Sequence, residues 1–268
     1  MPATIKNKIL ILANFIALAV VLVVNYLAAS LPIAGRTPAD VSAQFPTLFT
    51  PAGFTFAIWG IIYLLLIGFA FFQFSFWRQE NPQYLEKLGY LFILSCAANA
   101  GWLFAFHYLQ IGLSMLLMLV LLGSLLVIYR RLEIGRSAQQ GTVRWLGQLP
   151  FRVYLGWISV ATIANTSILL THLGWEGQPP GPVFWTLLIL TVAAAIALWM
   201  LFRNEDIPFV LVILWAFYGI YSARIAGQNS SEGMVATGAR AGMLLLAAAV
   251  LFYLIKKGAE KLKQNKRA

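Results

Sequence analysis

The sequence predicts an all-α integral membrane protein, a helical bundle with about eight transmembrane helices, and three observations carry the prediction. Of the 268 residues, 60% are hydrophobic and only 10% charged, with a mean hydropathy of +0.79; a soluble domain carries about a quarter charged residues because its surface faces water. Eight apolar stretches, free of charge apart from Arg240 at the edge of the last, each approach the roughly 20 residues that a helix needs to cross a bilayer. The basic residues gather on alternate connections, as in a chain threaded through a membrane. Because the runs are continuous rather than alternating, they read as helices, in which a lone spanning segment satisfies its own backbone.

Taken in order, the stretches cover about 9–30, 52–76, 88–108, 111–129, 153–173, 182–202, 207–223 and 239–255. The first follows Lys6 and Lys8, but its apolar run of about 22 residues exceeds the 7–15 of a signal-peptide core, so it is expected to stay as a span. The seventh is the shortest and is open to a tilted or re-entrant reading, which makes seven spans the competing count. Charge favours eight. With eight spans, 16 of the 19 Lys and Arg share one side: Lys6 and Lys8, Arg78 and Lys87, the five arginines at positions 130 to 152, Arg203, and the six basic residues after position 255. Only Arg36, Arg224 and Arg240 lie opposite. This bias puts both termini in the cytoplasm, and the localisation expected is the bacterial inner (cell) membrane.

Composition also removes function classes. The net charge of +10 reflects topology and attraction to anionic lipid. No nucleic acid partner is expected, because no aromatic platform interleaves with the basic loop. The single Cys96 excludes a disulfide framework or a cysteine-built metal site, and no H-E-x-x-H, P-loop or G-x-S-x-G occurs. No Asp, Glu, Lys or Arg falls mid-span, which counts against an ion-coupled transporter.

Amide and aromatic residues occupy the spans instead. Thr55, Trp59 and Tyr63 form a stripe on the second span; Ser95, Asn99, Trp102 and Phe106 form one on the third; Tyr154, Trp157, Ala161 and Asn165 form one on the fifth. Trp59, Asn99, Trp102 and Asn165 fall near mid-membrane, whereas tryptophan ordinarily gathers at the interface, as Trp77, Trp145, Trp175 and Trp185 do. A central indole N–H needs an internal acceptor, which Asn99 and Asn165 offer. Packing and interhelical glue would explain any one stripe; three together predict a shared aromatic pocket. Trp215, Tyr218 and Ser222 make a further stripe on the seventh span, placed against a pocket or an oligomer face. His107 and His172 sit at the outer ends of the third and fifth spans, as interfacial residues or as haem contacts.

At these same residues the chain resembles the TspO/MBR family, the tryptophan-rich sensory proteins related to the mitochondrial translocator protein (peripheral benzodiazepine receptor). Pro51, Trp59 and Tyr63 match its proline-started second helix with W-x-x-x-Y, Asn99 and Trp102 match N-x-x-W, and Tyr154, Leu155, Trp157 and Asn165 match Y-L-x-W with a later Asn. The resemblance covers residues 9–173. It implies a five-helix bundle, often dimeric, whose pocket binds porphyrins such as haem, or sterols. It also implies a division into a TspO-like bundle, 1–173, and a three-helix membrane extension with a basic tail, 174–268. Two departures stand out: the first loop reads F-P-T-L-F-T-P where the family is rich in Trp, and Gly53 replaces a Trp of several members.

The function expected is a membrane receptor, sensor or carrier for a hydrophobic planar small molecule, a tetrapyrrole or sterol-like compound, with no required cofactor. The pocket is expected between the first, second, third and fifth helices, with residues 31–51 as lid and Pro51 as helix start. Trp59, Trp102, Trp157 and Phe106 would supply stacking surface; Tyr63, Asn99, Tyr154 and Asn165 would orient the ligand. The alternatives are a porphyrin-modifying enzyme, against which the loss of loop Trp counts, and an uncoupled transporter of a lipid or metabolite.

Overall fold

The computed structural model describes residues 3–30, 33–78, 82–136, 141–225, 227 and 229–265. Lys266 and Arg267 of the basic tail, and residues 31 and 32 of the expected lid, lie outside them. The described residues contain no strand. Their helices, in chain order, are α1 (Ala3–Ser30), α2 (Pro38–Ala43), α3 (Ile58–Gln73), α4 (Gln83–Leu88), α5 (Leu91–His107), α6 (Ile111–Arg131), α7 (Leu149–His172), α8 (Pro182–Asn204), α9 (Ile207–Ile225) and α10 (Ser230–Asn265). Tight 3-10 turns lead into and out of α3, and a π turn, Val143–Gln148, leads into α7.

Seven of these segments are long and apolar enough to cross a membrane. The eighth long helix, α5, has 17 residues and so spans about 25 Å at 1.5 Å per residue. It reads as a short crossing because Tyr90 and Tyr108, 67% and 61% exposed, stand at its two ends where interfacial tyrosines belong. It is also joined to α6 by only residues 108–110 and packs along it. The seventh span is a continuous helix of 19 residues, so the re-entrant reading does not hold. The eighth begins at Ser230, well before the apolar run, because helical hydrogen bonding continues through residues too small or polar to register as a span.

Five long helices, α1, α3, α5, α6 and α7, pack as one bundle. Near its basic end Phe69, Phe92 and Phe151 from three helices meet edge to face, at 5.0, 4.9 and 6.2 Å between ring centres. This geometry sets the positive ring edge against the negative face. The remaining long helices join through α9, which packs on α7 and on the turn before α3, with α8 and α10 beside it, while the short α2 and α4 pack on α5 and α6.

The joint is made by close approach and long-range hydrogen bonds. The carbonyl of Gly219 accepts from the Ala52 amide at 3.0 Å, and the Trp215 indole N–H donates to the Thr55 carbonyl at 2.9 Å. The 3-10 turn of residues 53–57 thus rests on α9. At the end of the bundle away from the termini Arg224 pairs with Glu232 at 3.0 Å and donates to the Thr50 carbonyl. At the basic end buried Asp206 accepts from the Phe209 amide at the start of α9 and from the Tyr129 hydroxyl of α6. Removing such a bond in a membrane protein costs about 0.6 kcal/mol on average.

Gly219 has no room for a side chain, since a Cβ there would sit 2.1 Å from the Thr55 hydroxyl oxygen. Gly219→Ala is expected to destabilise the protein by about 1–3 kcal/mol, the usual range for overpacking. Thr55→Ala should recover part of that loss in the double variant, as read by thermal unfolding in detergent; additive effects would contradict the contact.

Candidate functional site

The three aromatic stripes converge on Trp59. Its ring is offset-stacked on Tyr63 one turn along α3, 5.4 Å away at 18°, and on Trp102 of α5, 6.2 Å away at 29°. Trp102 in turn stacks on Phe106 at 5.3 Å and 19°. Tyr63, Trp59, Trp102 and Phe106 therefore form one run of nearly parallel rings. Tyr154 and Trp157 of α7 meet Trp59 edge-on, at 6.0 Å and 6.3 Å, and fix its orientation from behind.

Amides lock this arrangement. The Asn25 amide of α1 donates to Asn99 of α5 at 3.1 Å, and Asn99 donates to the Tyr154 hydroxyl of α7 at 2.9 Å. The Trp102 indole N–H donates to Asn165 of α7 at 3.1 Å, and the Asn165 amide donates to Ser114 of α6 at 3.2 Å. Polar groups at this depth have no water to fall back on, so each chain of bonds ties helices together while aiming the rings.

In front of the rings lies a cavity of about 410 Å³ between α1, α3 and α5. Leu22, Asn25, Tyr26 and Ala28 of α1 form one wall; Phe56, Trp59, Gly60 and Tyr63 form another; Trp102 and Leu103 close the back; Thr37, Pro38 and Ala39 form the roof. The size falls within the range of small-molecule sites. None of the described lining residues is charged. The Tyr63 hydroxyl is buried near the Asn25 and Asn99 amides but makes no hydrogen bond of proper geometry among the described residues.

Of the residues singled out in the sequence, Trp59, Tyr63 and Trp102 line the cavity, while Asn99, Phe106, Tyr154, Trp157 and Asn165 stand one layer behind. The fifth span is therefore not a cavity wall, because Phe56 and Trp59 interpose their rings before Trp157, at 6.1 Å and 6.3 Å. Pro51 is buried ahead of the 3-10 turn and does not touch the cavity. From the expected lid, Thr37 to Ala39 supply the roof, while Val41 and Phe49 are buried and Phe45 lies edge-on to His172. His107 is buried with its Nδ1 2.6 Å from the Leu103 carbonyl, and His172 is exposed; neither lines the cavity. Among the described residues no group of three His, Cys, Asp or Glu could hold a metal ion.

The first span's contribution escapes the stripe reading. Asn7, Asn14 and Asn25 follow one another at intervals of 7 and 11 residues, two and three helical turns, and so share a face of α1. Asn14 donates to Gln73 of α3 at 2.7 Å, deeper along the same seam.

A family model described as TSPO-like protein matches residues 10–252. The chain belongs to the TSPO-like protein family. No curated protein and no solved structure matches the chain significantly. The matched span takes in α8, α9 and most of α10, so the family pattern runs past residue 173, where the resemblance of the aromatic motifs stops. Membership identifies a membrane sensor or binding protein in general.

The roof of this TSPO-like protein is held by a capping box. Thr37 Oγ1 accepts from the Asp40 amide at 3.2 Å, and the Asp40 carboxylate accepts from the Thr37 amide at 2.8 Å and from its hydroxyl at 2.7 Å. The backbone bond first, then the hydroxyl, holds the Asp40 carboxyl below its ordinary value. A lowered folded-state value means that the box is complete at neutral pH and is lost as pH falls below the ordinary carboxylate value of about 3.9. Amide exchange at Asp40 and Val41, corrected for intrinsic rates, is expected to accelerate over that acid window, and Asp40→Asn should flatten the dependence. A wild-type profile as flat as the variant's would contradict the assignment.

Proposed function

We propose that this TSPO-like protein is a membrane receptor for a hydrophobic, planar small molecule, a tetrapyrrole or a sterol-like compound, held in the cavity between α1, α3 and α5. The observation that carries the reading is the run of four nearly parallel rings, Tyr63, Trp59, Trp102 and Phe106, of which the first three line a cavity of about 410 Å³ within the bundle. Flat apolar ligands stack on such surfaces with about 0.5–1.5 kcal/mol per ring beyond area burial.

Recognition would come from stacking on Trp59 and Trp102 and from hydrogen bonds to Asn25, Thr37 and the Tyr63 hydroxyl, a buried lining group without a partner among the described residues. Asn99, Tyr154, Trp157 and Asn165 would act through the residues that they hold in place. The uncharged lining favours a ligand whose body is neutral, since a carboxylate taken out of water would meet no cation. The concentration of Lys and Arg on the side of the termini supports a cytoplasmic placement of both ends, which leaves the roofed mouth of the cavity on the opposite face.

Titration of the purified protein with protoporphyrin and with its uncharged dimethyl ester, followed by tryptophan quenching, tests the reading. Both are expected to bind, the ester at least as tightly, and Trp102→Ala should weaken binding about tenfold, or roughly 1.4 kcal/mol. Trp185→Phe, on α8 and remote from the lining, should leave affinity unchanged. Affinity unaltered in Trp102→Ala would remove the cavity as the site.

A further inference from the structure

The walls of the cavity are unequally closed. On the aqueous side the roof, Thr37 to Ala39, leads into α2, whose Val41 is fully buried and which packs on the end of α5. On the flank between α1 and α3, two lining residues are exposed, Tyr26 at 68% and Gly60. Gly60 lies seven residues inside the span that starts at Gly53, roughly 10–12 Å along the helix axis, at the depth of lipid chains. Its neighbours Ile61, beside it, and Leu64, one turn further along α3, are 57% and 70% exposed and face outward.

Close packing does not explain Gly60. A Cβ at Gly219 or Gly242 would collide with a neighbouring helix, whereas a Cβ at Gly60 would meet no atom within 4 Å. The position is open space bounded by cavity on one side and by lipid on the other. Any larger side chain would project into that gap.

We propose that the gap between α1 and α3 at Gly60 is a lateral portal, through which the site takes its ligand from the adjoining bilayer leaflet rather than from water. The inference rests on the reading of the cavity as the ligand site. The ligand class that it selects is a membrane-dissolved amphiphile: a flat apolar body passes over Gly60 in the plane of the lipid chains. Its polar end stays near the interface, where Tyr26 and Thr37 can hydrogen-bond to it. A compound confined to water would have to displace the packed roof instead.

A portal residue and a wall residue differ in kinetics. Bulk in a portal slows arrival and departure by the same factor and leaves their ratio, the affinity, unchanged; bulk in the wall of a site changes the ratio. The test uses the full chain in phosphatidylcholine vesicles, with the dimethyl ester of protoporphyrin delivered from donor vesicles and tryptophan quenching followed in time. Because Gly60 also borders the cavity, Gly60→Leu is expected to slow both association and dissociation about tenfold, with any change in affinity smaller than the change in either rate. Gly60→Ala, whose added carbon meets nothing, should fold as the parent and slow both rates by a smaller factor. Ile61→Phe, which adds bulk on the lipid-facing side, should leave both rates as they are. Unchanged rates in Gly60→Leu, or a loss of affinity from faster dissociation alone, would overturn the portal while leaving the cavity as the ligand site. Absence of quenching in the parent protein would remove both.

Discussion

A carboxamide inside a bilayer has to find its partners on neighbouring helices, and Asn99 does so twice. It accepts from Asn25 on α1 and donates to Tyr154 on α7, so three helices meet at one side chain. The Trp102–Asn165–Ser114 chain repeats the device one turn away and brings in α6. With no hydrophobic effect to drive helix association within lipid, these bonds and the close packing around them set where the helices stand. The ring positions follow: Trp102 is held by its own N–H, and Trp59 is wedged between Trp102, Tyr154 and Trp157. The cavity is the space left in front of this fixed wall.

The same constraint explains how helices α8 to α10 belong to the structure. Their contribution is at the ends of α9, where Trp215 and Gly219 receive the turn before α3, and where Asp206 receives the hydroxyl of Tyr129. The turn at residues 53–57 sets the direction in which α3 starts and hence the height of Trp59 two residues later. A family pattern that covers residues 10–252 fits a body in which these helices brace the site rather than form it.

Much of this is legible in the sequence. Four-residue spacing places Trp59 with Tyr63 and Trp102 with Phe106, and the rule that a central indole needs an acceptor points to Asn99 and Asn165, of which Asn165 is the one that Trp102 meets. The family motifs mark the same residues. Spacing reports which face of a helix a residue occupies, however, not how many layers separate that face from a cavity, and so Trp157 and Asn165 stand one layer further back than the stripes suggest. Asn25 is hidden because its companions on α1 recur at two and three turns rather than one. The indole of Trp215 finds its acceptor 160 residues away, a pairing that only helix packing creates.

The central claim is that the stacked rings of Trp59 and Trp102 face a ligand. Its most direct test is fluorine NMR of the protein labelled throughout with 5-fluorotryptophan, each resonance assigned by a single Trp→Phe variant, during titration with a neutral porphyrin ester. Large shifts are expected at Trp59 and Trp102, a smaller one at Trp157 behind them, and none at Trp145, Trp175 or Trp199. Shifts confined to those three outer tryptophans, with Trp59 and Trp102 unmoved, would contradict it.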